Sequence, residues 1–433
     1  MRITRIETLK ADGGWRNFSF VKLSTDEGLV GWSEYNEDFG ATNATSDLIR
    51  RFADIAVGMD PREVGKIAVS LRAITRMSIG GVNHEAIAAI ENACLDVKAK
   101  ALGVPVCALF GGPFRDRVNL YWSHCGSFRV WRRDYFEDEL GLKPLRTLDD
   151  IKELGAQVKA RGFKALKTNP LPLRPGDPPF MPGFRMMPNF LSRHPDAKAI
   201  RAIHDVLAAF RAGAGDDMGL MLDLNFSQRT EGFIRIAKAV EDINLTWLEC
   251  DIHDPDALAT VRRATSTPIA SLETIHGLAA FRPYLECYAC DVAIVDVQWN
   301  GLWESVRAAS LADAFEVDCA PHNFAGHLAS MISAHFCASI PNYRIMEYDV
   351  DEVPWRDDLV THAPQIENGQ IVVPTRPGWG TDINEEAVRA HPPRGKKSKL
   401  ARWRPRRARA GDLATLDARR ASLALKSRLS RVL

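Results

Sequence analysis

Six short apolar segments in the second half of the chain each end in a charged or imidazole side chain, and they recur at a spacing of roughly 25 residues. GLMLD closes at Asp223, TWLE at Glu249, PIASLE at Glu273, VAIVD at Asp296, VDCAPH at His322 and YRIME at Glu347. That pitch is one strand plus one crossover helix. Amphipathic stretches fill the gaps, such as Glu231 to Val240 and Leu302 to Ala314. Alternating strand and helix predicts parallel βα units. A parallel β/α barrel brings the carboxyl ends of all its strands to one face, where active sites form. Asp223, Glu249 and Glu273, on three successive strands, are then expected to converge as a hard-oxygen site suited to one Mg²⁺.

The segments before the barrel read differently. ITRIETLKA alternates as a strand, and FSFVKLSTDEGLVGWSEY reads as a hairpin about Thr25-Asp26-Glu27-Gly28. The loop from Asp12 to Asn17 carries Trp15, a candidate lid residue against a substrate. Residues 44–75 and 83–101 are predicted helices, the second with Asn83 as N-cap and Gly103 as its stop. Leu109-Phe110-Gly111-Gly112-Pro113 breaks the pattern and marks the join to the barrel. VNLYWSHCG is the candidate first barrel strand, ending near Ser123, His124 and Cys125. A helix is expected from Leu148 to Arg161, then a strand, FKALK, ending at Lys167, Thr168 and Asn169.

The stretch from Pro170 to His194 is too long for a routine βα loop, and at a strand's carboxyl end it would hang over the site. Its Arg174, Arg185 and His194 are candidate substrate contacts, although a structural insertion explains it equally well. Past residue 350 the barrel rhythm stops, and IENGQIVVPTRPGWGT reads as a hairpin about Asn368-Gly369. The sequence divides into an α+β region over 1–115, a barrel over 116–350, a segment over 351–393 outside the barrel rhythm, and a basic tail over 394–433 that reads as disordered.

A length of 433 residues accommodates one barrel and a smaller domain. The net charge of +1 gives no reason to expect a nucleic-acid or membrane partner for the whole chain. The first residues lack the apolar core of a signal peptide, and no apolar run reaches the length of a membrane span, so a cytoplasmic protein is expected. Cys287 and Cys290 have C-x-x-C spacing, but no second pair completes a zinc set, and the eight cysteines read as buried reduced thiols.

The strand endpoints, with MLDLN, WLEC, SLET, PHN and IMEY around them, resemble the enolase superfamily in its mandelate racemase subgroup. The helix AAIENACLDVKAKALGVPVCALFGG, with Glu91 and Asp96, resembles the segment before the barrel in that family. The likeness spans residues 1 to about 390 and leaves out the tail. It implies a modified (β/α)7β TIM-type barrel, a capping domain built from both chain ends, one catalytic Mg²⁺ held by Asp223, Glu249 and Glu273, and a small-molecule carboxylate substrate. Related barrels commonly assemble, so a homo-oligomer is expected.

Removing a proton beside a carboxylate creates an enediolate dianion, which a divalent cation stabilises, as is the established precedent in that superfamily. His322 and Asp296 end neighbouring strands, and a carboxylate on one imidazole nitrogen raises the basicity of the other. This dyad is the expected base. Glu347 is expected to bond a substrate carboxylate if protonated, and otherwise to orient a neighbour. Mandelate racemase–like members often carry K-x-K at the second strand, with the second Lys as a base on the opposite face. Here the stretch is Lys167-Thr168-Asn169. One base suits β-elimination better than racemisation, and His322 could serve as both base and acid if the departing hydroxyl lies on its face. Lys167 and Asn169 then become contacts to the carboxylate. The K-x-N pattern resembles galactonate dehydratase–like members, which carry a His where this chain has Asn225, another candidate substrate contact with His124. Dehydration of an aldonic or aldaric acid to a 2-keto-3-deoxy acid is the leading expectation. A racemase, epimerase or cycloisomerase is the alternative, and a non-catalytic binding protein using its basic tail is more remote.

Overall fold

Alternation near the amino terminus builds an antiparallel meander of β1 (Ile3–Asp12), β2 (Asn17–Thr25) and β3 (Val30–Tyr35). The computed structural model describes residues 1–37, 43–173, 193–351 and 353–394. The predicted helix over 44–75 is two helices, α1 (Ala44–Ala56) and α2 (Val64–Ile74). They part where Gly58 takes φ 86° and Pro61 cannot continue the helical hydrogen bonds. The long helix α3 (Gly81–Leu102) begins ahead of Asn83, so Asn83 is not its cap; that amide reaches back to the Ser78 carbonyl at 2.9 Å. The helix does stop at Gly103, whose left-handed φ of 69° lets its N–H meet two carbonyls of the last turn. β3 lies so close to α3 that a Cβ on Gly31 would come within 2.1 Å of the Ala93 carbonyl oxygen.

Eight parallel strands follow: β4 (Arg117–Ser123), β5 (Ala165–Thr168), β6 (Gly219–Asp223), β7 (Trp247–Glu249), β8 (Ile269–Ser271), β9 (Val292–Asp296), β10 (Asp318–His322) and β11 (Met346–Asp349). Strands β4 to β10 pair in succession, and β11 pairs with β4. A parallel bridge between Cys319 and Tyr343 joins β10 to the segment entering β11. The interior is filled by Tyr121, Ala165, Met221, Trp247, Ala270, Val292, Ile294 and Ala320, large beside small. Trp247 meets the Tyr121 ring edge-on, with centroids 5.7 Å apart. Truncating such a buried indole to Ala costs about 3–5 kcal/mol.

Two strand ends differ from the sequence expectation. β8 stops at Ser271, and Glu273 lies beyond it, after Leu272 turns the chain at φ 92°. β11 continues to Asp349, so Glu347 is inside the strand. The hairpin of β12 (Ile366–Glu367) and β13 (Gln370–Val372) turns at Asn368 and Gly369 with φ 50° and 72°, the backbone a tight two-residue turn requires. β13 pairs antiparallel with the start of β4.

The carboxy-terminal segment returns to the cap. Trp355 donates its indole N–H to the Asp12 carbonyl at 2.8 Å, and Trp379 donates to the Trp32 carbonyl at 2.8 Å. The cap also reaches into the barrel. Glu34 of β3 accepts from the Gly326 N–H at 2.5 Å and the Ala329 N–H at 2.9 Å, the first turn of the barrel helix His327–Ser339. All eight cysteines are free, and seven are buried. Among the described residues no helix is long and apolar enough to cross a membrane. The basic tail from residue 395 onward lies outside the described residues, as do Arg174 and Arg185.

Candidate active site

The carboxyl ends of the barrel strands surround a cavity of about 240 Å³, which Glu85 of α3 also lines from the cap. Strand pairing sets Asp223 directly beside Glu249, and Glu273 follows on the next crossover. All three are buried. Asp223 is gripped by amides: Asn225 donates its backbone N–H at 2.8 Å and its side chain at 3.0 Å, and Asn169 donates at 3.2 Å. Asn225 takes a left-handed φ of 45° to do this. Glu249 is the floor. Its Oε2 accepts from Lys167 Nζ at 2.9 Å and from the Trp247 indole at 3.1 Å, while its Oε1 has no hydrogen-bond partner. Burial, with Asp223 and Glu273 nearby, pushes its pKa up to about 8 although Lys167 opposes the shift. Burial and Asp251 raise Glu273 well above the carboxylate range.

Asp251 is a fourth carboxylate here, two residues beyond Glu249. One of its oxygens lies 3.4 Å from the Ser271 hydroxyl and the other has no partner. Burial, Glu249 and Asp223 push its pKa up to about 7.

Among the described residues, no three His, Cys, Asp or Glu side chains stand close enough together to hold a metal ion as they are placed. The strand ends are adjacent as expected, while the side chains are not gathered about one point. Buried carboxylates repel one another and turn to the donors and cations at hand. Lys167 neutralises Glu249, and His322 Nε2 approaches Glu273 at 3.5 Å. An all-oxygen set with two unpartnered buried oxygens, on Glu249 and Asp251, fits a hard divalent cation of the Mg²⁺ type.

The expected dyad is formed. His322 Nδ1 meets Asp296 Oδ2 at 2.6 Å, both buried, and the other Asp296 oxygen accepts from the Trp299 N–H at 2.8 Å. Trp299 and Phe324 pack on the imidazole with ring centroids 5.0 and 4.9 Å away. Burial disfavours charge on His322, but Glu273, Asp296 and Glu347 outweigh it and push the pKa up to about 10. Lys167 lies between Glu249 and Glu347, 3.2 Å from the latter, and these carboxylates keep it charged against burial. Glu347 accepts from the Ser123 hydroxyl and from the Asn323 N–H at 2.7 Å. Burial would raise its pKa, yet Lys167, His322 and His124 hold it well below the carboxylate range. Both its oxygens already accept hydrogen bonds and it lies beside Lys167, an arrangement that fits the orienting role.

The candidate substrate contacts divide. His124 and Asn225 line the cavity. Asn169 does not, because its amide is taken up by Asp223. Trp15 also stays behind the wall, packed 4.2 Å from the Phe128 ring, which does line the cavity. His194 is exposed and away from the lining. The sequence reading missed Glu85 and His276, and the aromatics Phe128, Trp131, Phe226, Trp299 and Phe324. Phe324 and Trp299 sit two and three residues past strand ends that were recognised, a position that points into the mouth of a barrel. Glu85 had no such signal.

Two family models match the chain. One, described as enolase C-terminal domain-like, covers residues 150–387; the other, the N-terminal domain of mandelate racemase and muconate lactonizing enzyme, covers 12–111. The D-xylonate dehydratase of Haloferax volcanii is 29% identical over 90% of this chain and 88% of its own. The D-galactarolactone cycloisomerase of Agrobacterium fabrum is 27% identical over 85% of this chain and 89% of its own. A solved structure from Burkholderia xenovorans, provisionally named an L-alanine-DL-glutamate epimerase, superposes with a TM-score of 0.86 at 44% identity, covering 91% of this chain and 99% of its own.

Proposed function

This chain belongs to the mandelate racemase and muconate lactonizing enzyme family of the enolase superfamily, and on that premise we propose that it dehydrates a sugar acid to a 2-keto-3-deoxy acid. The observation that carries the reading is a single imidazole base, His322, aimed by Asp296, with an amide rather than a second lysine at Asn169. Several relatives are named as dehydratases of D-xylonate, D-gluconate and D-galactonate, which supports the same class.

In this reading Asp223, Glu249 and Glu273 would hold Mg²⁺, which would supply the positive charge that favours ionisation of the carbon acid, the precedent of this superfamily. Glu273, the largest of the charges that keep His322 protonated, would be drawn off by the cation, and the neutral imidazole takes the C2 proton at Nε2 while Asp296 holds the Nδ1 proton. Lys167, positioned by Glu347, bonds the substrate carboxylate. Trp299 and Phe324 exclude water beside the imidazole. The test is incubation of D-xylonate, D-galactonate, D-gluconate and galactarate with Mg²⁺ and assay for a keto acid. Silence on all four refutes it.

A second reading, epimerisation, is favoured by the 44% identical neighbour that bears an epimerase's name. It requires proton transfer on both faces, with Lys167 acting opposite His322, yet Lys167 is committed to two carboxylates. Deuterium appearing in inverted substrate without loss of water would establish it.

A further inference from the structure

The cavity has a second polar wall that the dyad does not use. Glu85, on the second turn of α3, and His276, just after β8, face each other across the junction of cap and barrel, with Nε2 and Oε1 3.9 Å apart. Both line the cavity and both are mostly buried, with side chains 16% and 13% exposed. The Nε2 of His276 has no hydrogen-bond partner. The junction is close-packed: a Cβ on Gly80 would touch His276, and one on Gly277 would press on His84. His276 stacks on Trp299 at 25° with centroids 6.2 Å apart, and Trp299 packs on His322. The pair therefore lies one indole ring from the proposed base, on the same side of the cavity.

We propose that Glu85 is the general acid that protonates the departing C3 hydroxyl, with His276 beside it as the positioning residue. This rests on the dehydratase reading and names the proton donor that reading leaves open. In the step, His322 takes the C2 proton and the C2–H electron pair enters the enediolate. The enediolate collapses to a C2–C3 double bond as the C3–O bond breaks. That oxygen leaves with its electron pair, takes the Glu85 proton and departs as water. Glu85 is left ionised and is reprotonated from solvent, to which His322 gives up the C2 proton; the enol becomes the 2-keto acid by gaining a proton at C3 and losing that of its C2 hydroxyl. Burial first, and then the Asp296 charge, push the Glu85 pKa up to about 7, which suits a donor near neutrality. Burial depresses that of His276, so a neutral imidazole faces Glu85 at 3.9 Å. The other polar groups on the lining are placed differently. Lys167 and Asn225 are committed to carboxylates, and His124 holds its Nδ1 on Asp349 at 2.9 Å and Ser123 at 3.1 Å.

The experiment separates the two halves of the reaction in D₂O, using whichever of the four acids above the wild type converts fastest. Glu85→Gln is expected to lose about 10²–10⁴-fold in keto-acid formation, while deuterium exchange at C2 continues within about threefold of wild type. The 3-deoxy-3-fluoro analogue of the same acid, whose fluoride needs little protonation, is expected to restore elimination by Glu85→Gln. His276→Gln is expected to show a smaller loss of the same kind, with unchanged melting temperature. Normal elimination by Glu85→Gln overturns the assignment. So does a variant that loses exchange together with elimination, or is not rescued by the fluoro analogue, since both mean a role in binding or folding. A wild type silent in both assays on every acid defeats the dehydratase reading and takes this assignment with it.

Discussion

Asp296→Asn is the sharpest perturbation of the proposed base, because the structure dictates which way the new amide must face. One Asp296 oxygen caps the short helix Val297–Asn300 through the Trp299 N–H at 2.8 Å. That position needs an acceptor, so the asparagine oxygen turns there and its NH₂ turns to His322. The amide then donates where the carboxylate accepted at 2.6 Å. His322 Nδ1 must become the acceptor, and its proton moves to Nε2, the nitrogen that has to take the substrate proton. The volume is unchanged and the cap is kept, so stability should change little. Reversing the tautomer of a catalytic histidine costs about 10²–10⁴ in rate, equivalent to about 2.7–5.4 kcal/mol of barrier. The assay is kcat for keto-acid formation together with C2 exchange in D₂O, and both should fall by that factor at an unchanged melting temperature. Activity within tenfold of wild type would show that Asp296 does not set the tautomer.

Adding Mg²⁺ at 100 times its Kd should stabilise the protein by about 2.7 kcal/mol in thermal melting, and Glu249→Gln or Glu273→Gln should abolish the increment; equal stabilisation of these variants would remove both from the metal site. His335 is fully buried, and burial depresses its pKa from the usual value to about 4. Its contribution to stability is complete above about pH 6.5 and is lost as the pH falls toward 4, amounting to about 3 kcal/mol. Urea denaturation at pH 7 and pH 4.5 should show a flatter pH dependence in His335→Leu than in wild type, and parallel curves would refute the assignment. Gly31→Ala forces a methyl within 2.1 Å of a carbonyl on α3 and should destabilise the protein by at least about 1–3 kcal/mol in the same assay.

The parts of the molecule that were legible in the sequence share one property: a local pattern recurs at a fixed interval. The barrel strands and the adjacent ends Asp223 beside Glu249 and Asp296 beside His322 follow from that interval, since neighbouring strands place their ends side by side. What escaped depends on contacts between distant segments. Nothing in the helical pattern of α3 singles out Glu85, because its role comes from the angle at which the cap meets the barrel. Asn169 looked like a substrate contact until Asp223 was seen to occupy it. Glu347 was ambiguous because its charge state is set by Lys167, His322 and His124, which arrive from three other strands. Asp251 was within reach, two positions past a recognised strand end, but it was hidden behind the expectation of a three-carboxylate set.

The two contacts from Glu34 to the helix that begins beyond His322 bear on protein engineering. Recombining the front portion of this enzyme with the back portion of a cousin is an obvious route to new substrate ranges. Such a hybrid would leave either an acid without its amides or amides without their acid, a few residues from the reacting centre. A crossover placed downstream of Glu34 must therefore bring a matching partner for Gly326 and Ala329, or the graft will disturb the chemistry it was meant to redirect.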